Sequence, residues 1–391
     1  SSFAQVTTNT GGGSSSGGGG SYTASNGIGI SGSNIKLGGL LTENTSIGGG
    51  TFNLSLNNKT YNNTSQRFNL FSDTISLTLN GTKFFHTTSN GGGGWNYGNM
   101  WMGFGAGQTF GTSSTGYANT AFGRYAQRYL NGSSSTAASN AAFGAGSQEN
   151  MTTGTLNSSF GVASMGLVTT ALGLTVGGHH AGLYSTNADN ATFFGRSAGD
   201  TCTATETVAI GYYSQHKTYG LGNVGLGAYS GYENSSGTKN TNIGWSAGKN
   251  VTTATENTHV GYLAGGTGIG TSGYNTYIGA SSGRNTSSGN TNVAVGRESL
   301  GSLTTGLGNV AIGNNAAQTG NWSHSIIIGR TINVTASNEL NIGGALYGAN
   351  IYSTTPRFAL GKVAGTNSTF DMGGCMLPII LPKTGTTPSV G

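Results

Sequence analysis

Charge is what this sequence has least of: Asp, Glu, Lys and Arg make up 7% of its 391 residues, against roughly 25% in average soluble chains. With only 11 acids, the paired carboxylates that a glycan-degrading enzyme needs are hard to assemble. The basic excess is +5 and scattered, with Arg124 and Arg128 the only close pair. No stripe exists to follow a phosphate backbone, which excludes nucleic acid as an expected partner. Cysteine is nearly absent, and Cys202 and Cys375 stand so far apart in sequence that two free thiols are expected in an elongated molecule. No apolar run approaches the 18 or more residues that cross a bilayer, so membrane insertion is not expected. Hydrophobic residues reach only 34%, too few for a large conventional core.

What is abundant is Gly, with 73 residues, together with Ser, Thr and Asn. No every-third-residue period with abundant Pro accompanies it, which excludes a collagen triple helix. A disordered chain would combine low hydrophobicity with high net charge. Polar, weakly charged and repetitive composition points instead to ordered β-structure.

The repeat becomes plain when the chain is aligned on an apolar residue followed by Gly. It gives Met102-Gly103, Phe122-Gly123, Phe143-Gly144, Phe160-Gly161, Leu172-Gly173 and Phe194-Gly195, then continues through Gly211, Gly227, Gly244, Gly261, Gly279, Gly296 and Gly313 to Gly329 and Gly343. Four residues before the Gly stands Asn in most copies, including Asn223, Asn240, Asn257, Asn275, Asn292 and Asn309, and three after it stands Ala or Ser. The unit reads N-[TV]-x-φ-G-x-x-[AS]-G, where φ is apolar. Side chains alternate along a strand, so the Thr or Val and the apolar residue share one face. That face is expected to point inward. Gly permits a corner, Ala or Ser suits a narrow interior, and Asn can bond to backbone and to an Asn stacked above it. The fold class expected is all-β, a repetitive β-solenoid whose coils complete their core by stacking and by trimerisation.

The pattern resembles the head repeats of trimeric autotransporter adhesins, N-S-V-A-I-G-x-x-[SA], and related repeats in phage tail fibres. The matching stretches are N-V-A-I-G at 309–313, T-V-A-I-G at 207–211 and N-T-A-F-G at 119–123. The resemblance covers about residues 96–348 and implies a homotrimeric β-roll fibre that attaches to a surface. The stretch from Gly161 to Gly195 departs from it: Asn is lost and His179-His180 appear, so an irregular coil or inserted loop is expected there.

Four segments follow. Residues 1–20 are a Gly/Ser-rich linker, opening on Ser1-Ser2-Phe3-Ala4-Gln5, which is compatible with a signal-peptide remnant. Residues 21–95 are a β-rich shaft-like segment, with alternation from Asn26 to Ile47 and a hairpin at 74–85 turning at Asn80-Gly81. The solenoid occupies 96–348. Residues 349–391 hold all four prolines, and S-T-F-D-M-G-G followed by L-P-K-T-G-T-T-P looks similar to the passage in phage fibres that leads toward a tip or chaperone domain.

Several catalytic signatures occur by accident of the repeat. G-x-S-x-G at Ser197, Ser246 and Ser281 falls at one repeat position each time, without the strand-turn-helix of a nucleophile elbow. These serines are read as packing residues. G-x-G-x-x-G occurs without a following helix. The one acidic cluster, Asp189, Asp200 and Glu206 near His179 and His180, is the rival site for catalysis or a cation, and it lacks zinc-ligand spacing. Not an enzyme, no metal and no cofactor is the expectation. The position after the repeat Gly varies while its neighbours stay fixed, and it carries Tyr212, Trp245 and Tyr262 as well as Arg196, Arg297 and Arg330. Exposed rings can stack on sugars and Arg can bind acidic groups, so Tyr212, Trp245, Tyr262, Arg196 and Arg297 are the candidate contacts; packing between coils is the competing use. The expected role is a structural attachment fibre, foremost a phage tail fibre on the virion that binds a host or cell-surface glycan or protein receptor and joins other tail proteins. The alternatives are a bacterial trimeric surface adhesin held by surface-anchor proteins, or a structural extracellular filament subunit.

Overall fold

A computed structural model describes residues 28–31, 34–37, 74–79, 82–88, 98–108, 116–130, 137–266, 270–354 and 357–360. The linker 1–20, the turn Asn80-Gly81, Cys375 and the 368–391 passage lie outside the described residues. The chain divides into two units, Ser1–Asn69 and Leu70–Gly391. In the first, β1 (Ile28–Ser31) pairs antiparallel with β2 (Asn34–Leu37).

The second unit opens with β3 (Thr74–Leu79) and β4 (Thr82–Thr88), the hairpin expected from the sequence, with a bulge between Leu77 and Thr78. β4 pairs antiparallel with β5 (Asn99–Met102), and the parallel stack begins there. β6 to β18 are three-residue strands: Thr120–Phe122, Ala141–Phe143, Ser158–Phe160, Thr175–Gly177, Thr192–Phe194, Val208–Ile210, Val224–Leu226, Thr241–Ile243, Thr258–Val260, Thr276–Ile278, Val293–Val295, Val310–Ile312 and Ile326–Ile328. Each pairs in parallel with the next, from β5 to β19 (Glu339–Ile342). The result is a β-solenoid of about 13 turns, with no helix among the described residues. β20 (Leu346–Ala349) and β21 (Arg357–Leu360) end the ladder in antiparallel pairings.

The corner after each strand shows why Gly recurs. Gly244 has φ +128°, and a Cβ there would stand 2.6 Å from the carbonyl oxygen of Gly261 in the next coil. Both strain and contact forbid a side chain. The Asn row forms the expected ladder. Asn257 donates its backbone N–H and its Nδ2 to Oδ1 of Asn240, each at 3.0 Å, and its Nδ2 also donates to the Ser272 carbonyl. Asn275 then donates twice to Oδ1 of Asn257. Every amide in the run is thus buried with its polar atoms paired, which is what burial requires. The run is interrupted at Leu174, Ala191 and Thr207, all buried, and resumes at Asn223.

Two expectations need correction. The strand face that points inward is the other one. The middle residue is buried in coil after coil, for example Ala121, Ala142, Phe193, Ala209, His259, Tyr277 and Ala311, while the apolar residue before the Gly is half-buried or exposed, with Phe160 at 49% and Ile312 at 39%. The physical reason is the narrow interior: beside the buried Asn row and the small Ala or Ser three after the Gly, the space next to the strand is shared by the middle strand residue and the residue six later. Their sizes trade off. Trp101, Phe193, Asn242, His259 and Tyr277 face Gly107, Gly199, Gly248, Gly265 and Gly283, whereas Ala121, Ala142 and Ala294 face Gln127, Gln148 and Leu300. Where both are Gly, at Gly225 and Gly231, Gln215 of the preceding coil fills the space. Close packing of this kind leaves no room for a large apolar residue at every level.

The second correction concerns residues 161–195. No irregular coil occurs there: Thr175–Gly177 pairs in parallel on both sides, and the corner is Gly178 at φ +131°, not Gly173. Gly177 occupies the apolar position, with the Phe194 ring packed over it, so the apolar-Gly signal vanished from the true corner while Leu172-Gly173 imitated it.

Candidate functional site

The residue after each corner Gly lies on the coil surface, because the corner turns the chain away from the strand. Coil stacking therefore sets Tyr212, Trp245 and Tyr262 in one row, all exposed. Trp245 and Tyr262 stack with centroids 5.1 Å apart and planes at 14°. Between Tyr212 and Trp245 the row holds Ala228. Tyr229, one residue on, closes that gap, meeting Tyr212 at 5.3 Å and Trp245 at 6.3 Å in edge-to-face geometry.

A second row runs beside the first. Tyr213 packs edge-on against His216 at 4.9 Å, His216 stacks on Tyr232 at 5.0 Å, and Lys249 Nζ lies 5.3 Å and 5.9 Å from the Tyr229 and Tyr232 centroids. Arg196 sits over Tyr212 at 5.6 Å. The structure thus brings Arg196, Tyr212, Trp245 and Tyr262 into one band and adds Tyr213, His216, Tyr229, Tyr232 and Lys249. Arg297 stands apart, donating to its neighbour Glu298 at 2.6 Å. The added residues occupy the second and fifth positions after the Gly, a period-of-one-coil signal present in the sequence but outside the fixed frame of the repeat.

Coil-to-coil stacking occupies the mutually facing sides of Trp245 and Tyr262. The band therefore offers ring edges, phenol hydroxyls, two cations and the outer face of Tyr262, 53% exposed. This is binding chemistry for a hydroxyl-rich surface.

The acidic cluster is dispersed over separate tasks. Asp189 Oδ1 accepts the Leu172 N–H at 2.8 Å, and His179 and His180 stack on each other at 3.9 Å. Asp200 meets His216 of the next coil, 3.9 Å away. Burial raises the Asp200 carboxyl to about 6, while burial first, then the Lys217 charge, lowers the His216 imidazole. Ser197, Ser246 and Ser281 all stand at positive φ on coil turns, and Ser197 and Ser246 are buried. Cys202 is buried and free, its thiol pushed by burial to about 12. Among the described residues no group of three or more His, Cys, Asp or Glu is placed to hold a metal, and no helix is long and apolar enough to cross a membrane. Compared with known proteins, the chain matches no family model, no curated relative and no solved structure.

Proposed function

We propose that the chain is the subunit of a homotrimeric attachment fibre, foremost a phage tail fibre, whose aromatic band contacts a host-surface glycan without turning it over. The observation that carries this reading is the apolar row before the corner glycines. Met102, Phe160, Phe194, Ile210, Leu226, Ile278 and Ile312 are exposed, and Phe122, Phe143 and Phe160 stack at 5.4 and 5.1 Å along the row. A contiguous apolar row of this length is what a soluble monomer rarely leaves open. Identical copies offer identical rows, and burying them against one another supports the trimer that the resemblance implies. A bacterial trimeric surface adhesin uses the same geometry. A filament growing head to tail is less well supported, because antiparallel hairpins replace the coil edge at both ends of the ladder.

Two outcomes test it. Ile312→Asp and Ile243→Asp should yield folded monomers, with circular dichroism unchanged and the trimer lost on sedimentation, since a charge would be buried unpaired only in the interface. Ser246→Ala should leave the trimer intact. A trimer surviving both Asp substitutions would show that another face assembles. Second, replacing Tyr212, Trp245 and Tyr262 together by Ala should weaken attachment to host cells about tenfold or more with the trimer retained. Incubation with host polysaccharide should release no reducing ends; their appearance, abolished by Asp200→Asn, would overturn the non-enzymatic reading.

A further inference from the structure

The close basic pair noted in the sequence falls within one coil, R-Y-A-Q-R-Y at 124–129. The Cζ atoms of Arg124 and Arg128 lie 4.5 Å and 4.4 Å from the centroid of the same Tyr125 ring, and Arg128 also lies 4.8 Å from that of Tyr129. Arg124 Nη2 donates to the Tyr125 hydroxyl at 3.3 Å. Phe104 of the preceding coil packs edge-on to Tyr125 at 6.0 Å. Two guanidinium groups are therefore held against one ring, which removes much of the rotamer entropy that an exposed Arg would lose on binding. The acid present is Glu149 of the next coil, whose Oε1 lies 3.6 Å from Arg128 Nη1. Arg124 is exposed and forms no ion pair among the described residues.

We propose that Arg124 and Arg128, set by Tyr125, form an anion-binding clamp for the carboxylate of an acidic polysaccharide. A planar carboxylate matches the guanidinium fork, and two such forks around one ring suit it better than a lysine would. Arg124 stands one residue after its corner Gly, in the row that carries Tyr212, Trp245 and Tyr262, so an extended acidic chain lying along the row meets both groups. The proposal rests on the attachment reading for the source of the polysaccharide; the anion chemistry stands without it.

The test uses the purified full chain and polygalacturonate, neutral dextran and inorganic phosphate as probes. Polygalacturonate should bind, more weakly as salt rises from low to physiological levels, and dextran should not compete. Phosphate competing as well as an equivalent concentration of uronate would overturn the assignment to a polysaccharide carboxylate. Arg124→Ala should weaken binding about tenfold and Arg124→Lys by less, with circular dichroism unchanged. Glu149→Gln should strengthen binding several-fold by freeing Arg128, which a merely structural Arg–Tyr stack would not do. Failure of the wild type to bind polygalacturonate, or no change in Arg124→Ala and Glu149→Gln, overturns the clamp. Because no cell is involved, that failure leaves the trimer and cell-attachment tests untouched.

Discussion

Gly283→Leu is expected to destabilise the solenoid by at least about 3 kcal/mol, and Tyr277→Ala added to it to recover most of that loss. The single change drives a side chain into the Tyr277 ring, which already lies over Gly283, and overpacking a close-packed core costs about 1–3 kcal/mol or more. A left-handed backbone adds about 1–2 kcal/mol for a residue with a Cβ. The second change copies a coil that exists one level on, where Ala294 faces Leu300 at φ +50°. Tyr277→Ala alone opens a cavity and also destabilises. Chemical denaturation of the four proteins gives the coupling energy directly. Additive losses would show that the two positions do not share one space.

Acid is expected to weaken the fold between pH 6.5 and 4. His259 is buried, its Nδ1 bonded to Asn242 Oδ1 at 2.8 Å and its ring stacked on Tyr277 at 5.5 Å. Burial holds its pKa down from 6.5 to about 4. The folded state thus prefers the neutral ring: stability is complete above the unfolded value and is lost as pH falls toward 4, by about 3 kcal/mol in all. Asp200 acts in the opposite sense, because its raised value favours the fold at low pH and that contribution is lost as pH rises through about 6. It is half-buried and weaker. Thermal unfolding should show a midpoint falling by several degrees from pH 7 to pH 4, and His259→Asn, which repeats the Asn242 arrangement, should flatten the curve. A wild-type midpoint independent of pH would sink this account.

These two sites also show where the sequence was legible. Repeat, strand position, corner Gly and Asn ladder all follow from local rules: a corner φ near +130° needs Gly, and a buried amide needs a neighbour of its own kind. The inward face does not follow, because hydrophobicity at Ile243 or Ile312 reports burial somewhere and not burial within one chain. The inner face carries Ala, Ser, Asn and His as readily as Phe, and its rule lies in paired volumes, such as Phe193 with Gly199, which no single position displays. Likewise Tyr212, Trp245 and Tyr262 stood out against a fixed frame, whereas Tyr229 and Tyr232 joined them only through stacking.

The Asn ladder carries a consequence for how such a chain changes over generations. Along Asn223 to Asn309 each level presents the next with the same donors, the same acceptor and the same bare corner. Deleting or duplicating one whole coil in that stretch rejoins the amide row and the corner row in register, while interior neighbours such as Asn242, His259 and Tyr277 change partners. Length is then a property that can change in whole steps, each step keeping the frame of Asn and Gly that holds the levels together. The interruption from Leu174 to Thr207 marks the levels where the amide row would not rejoin.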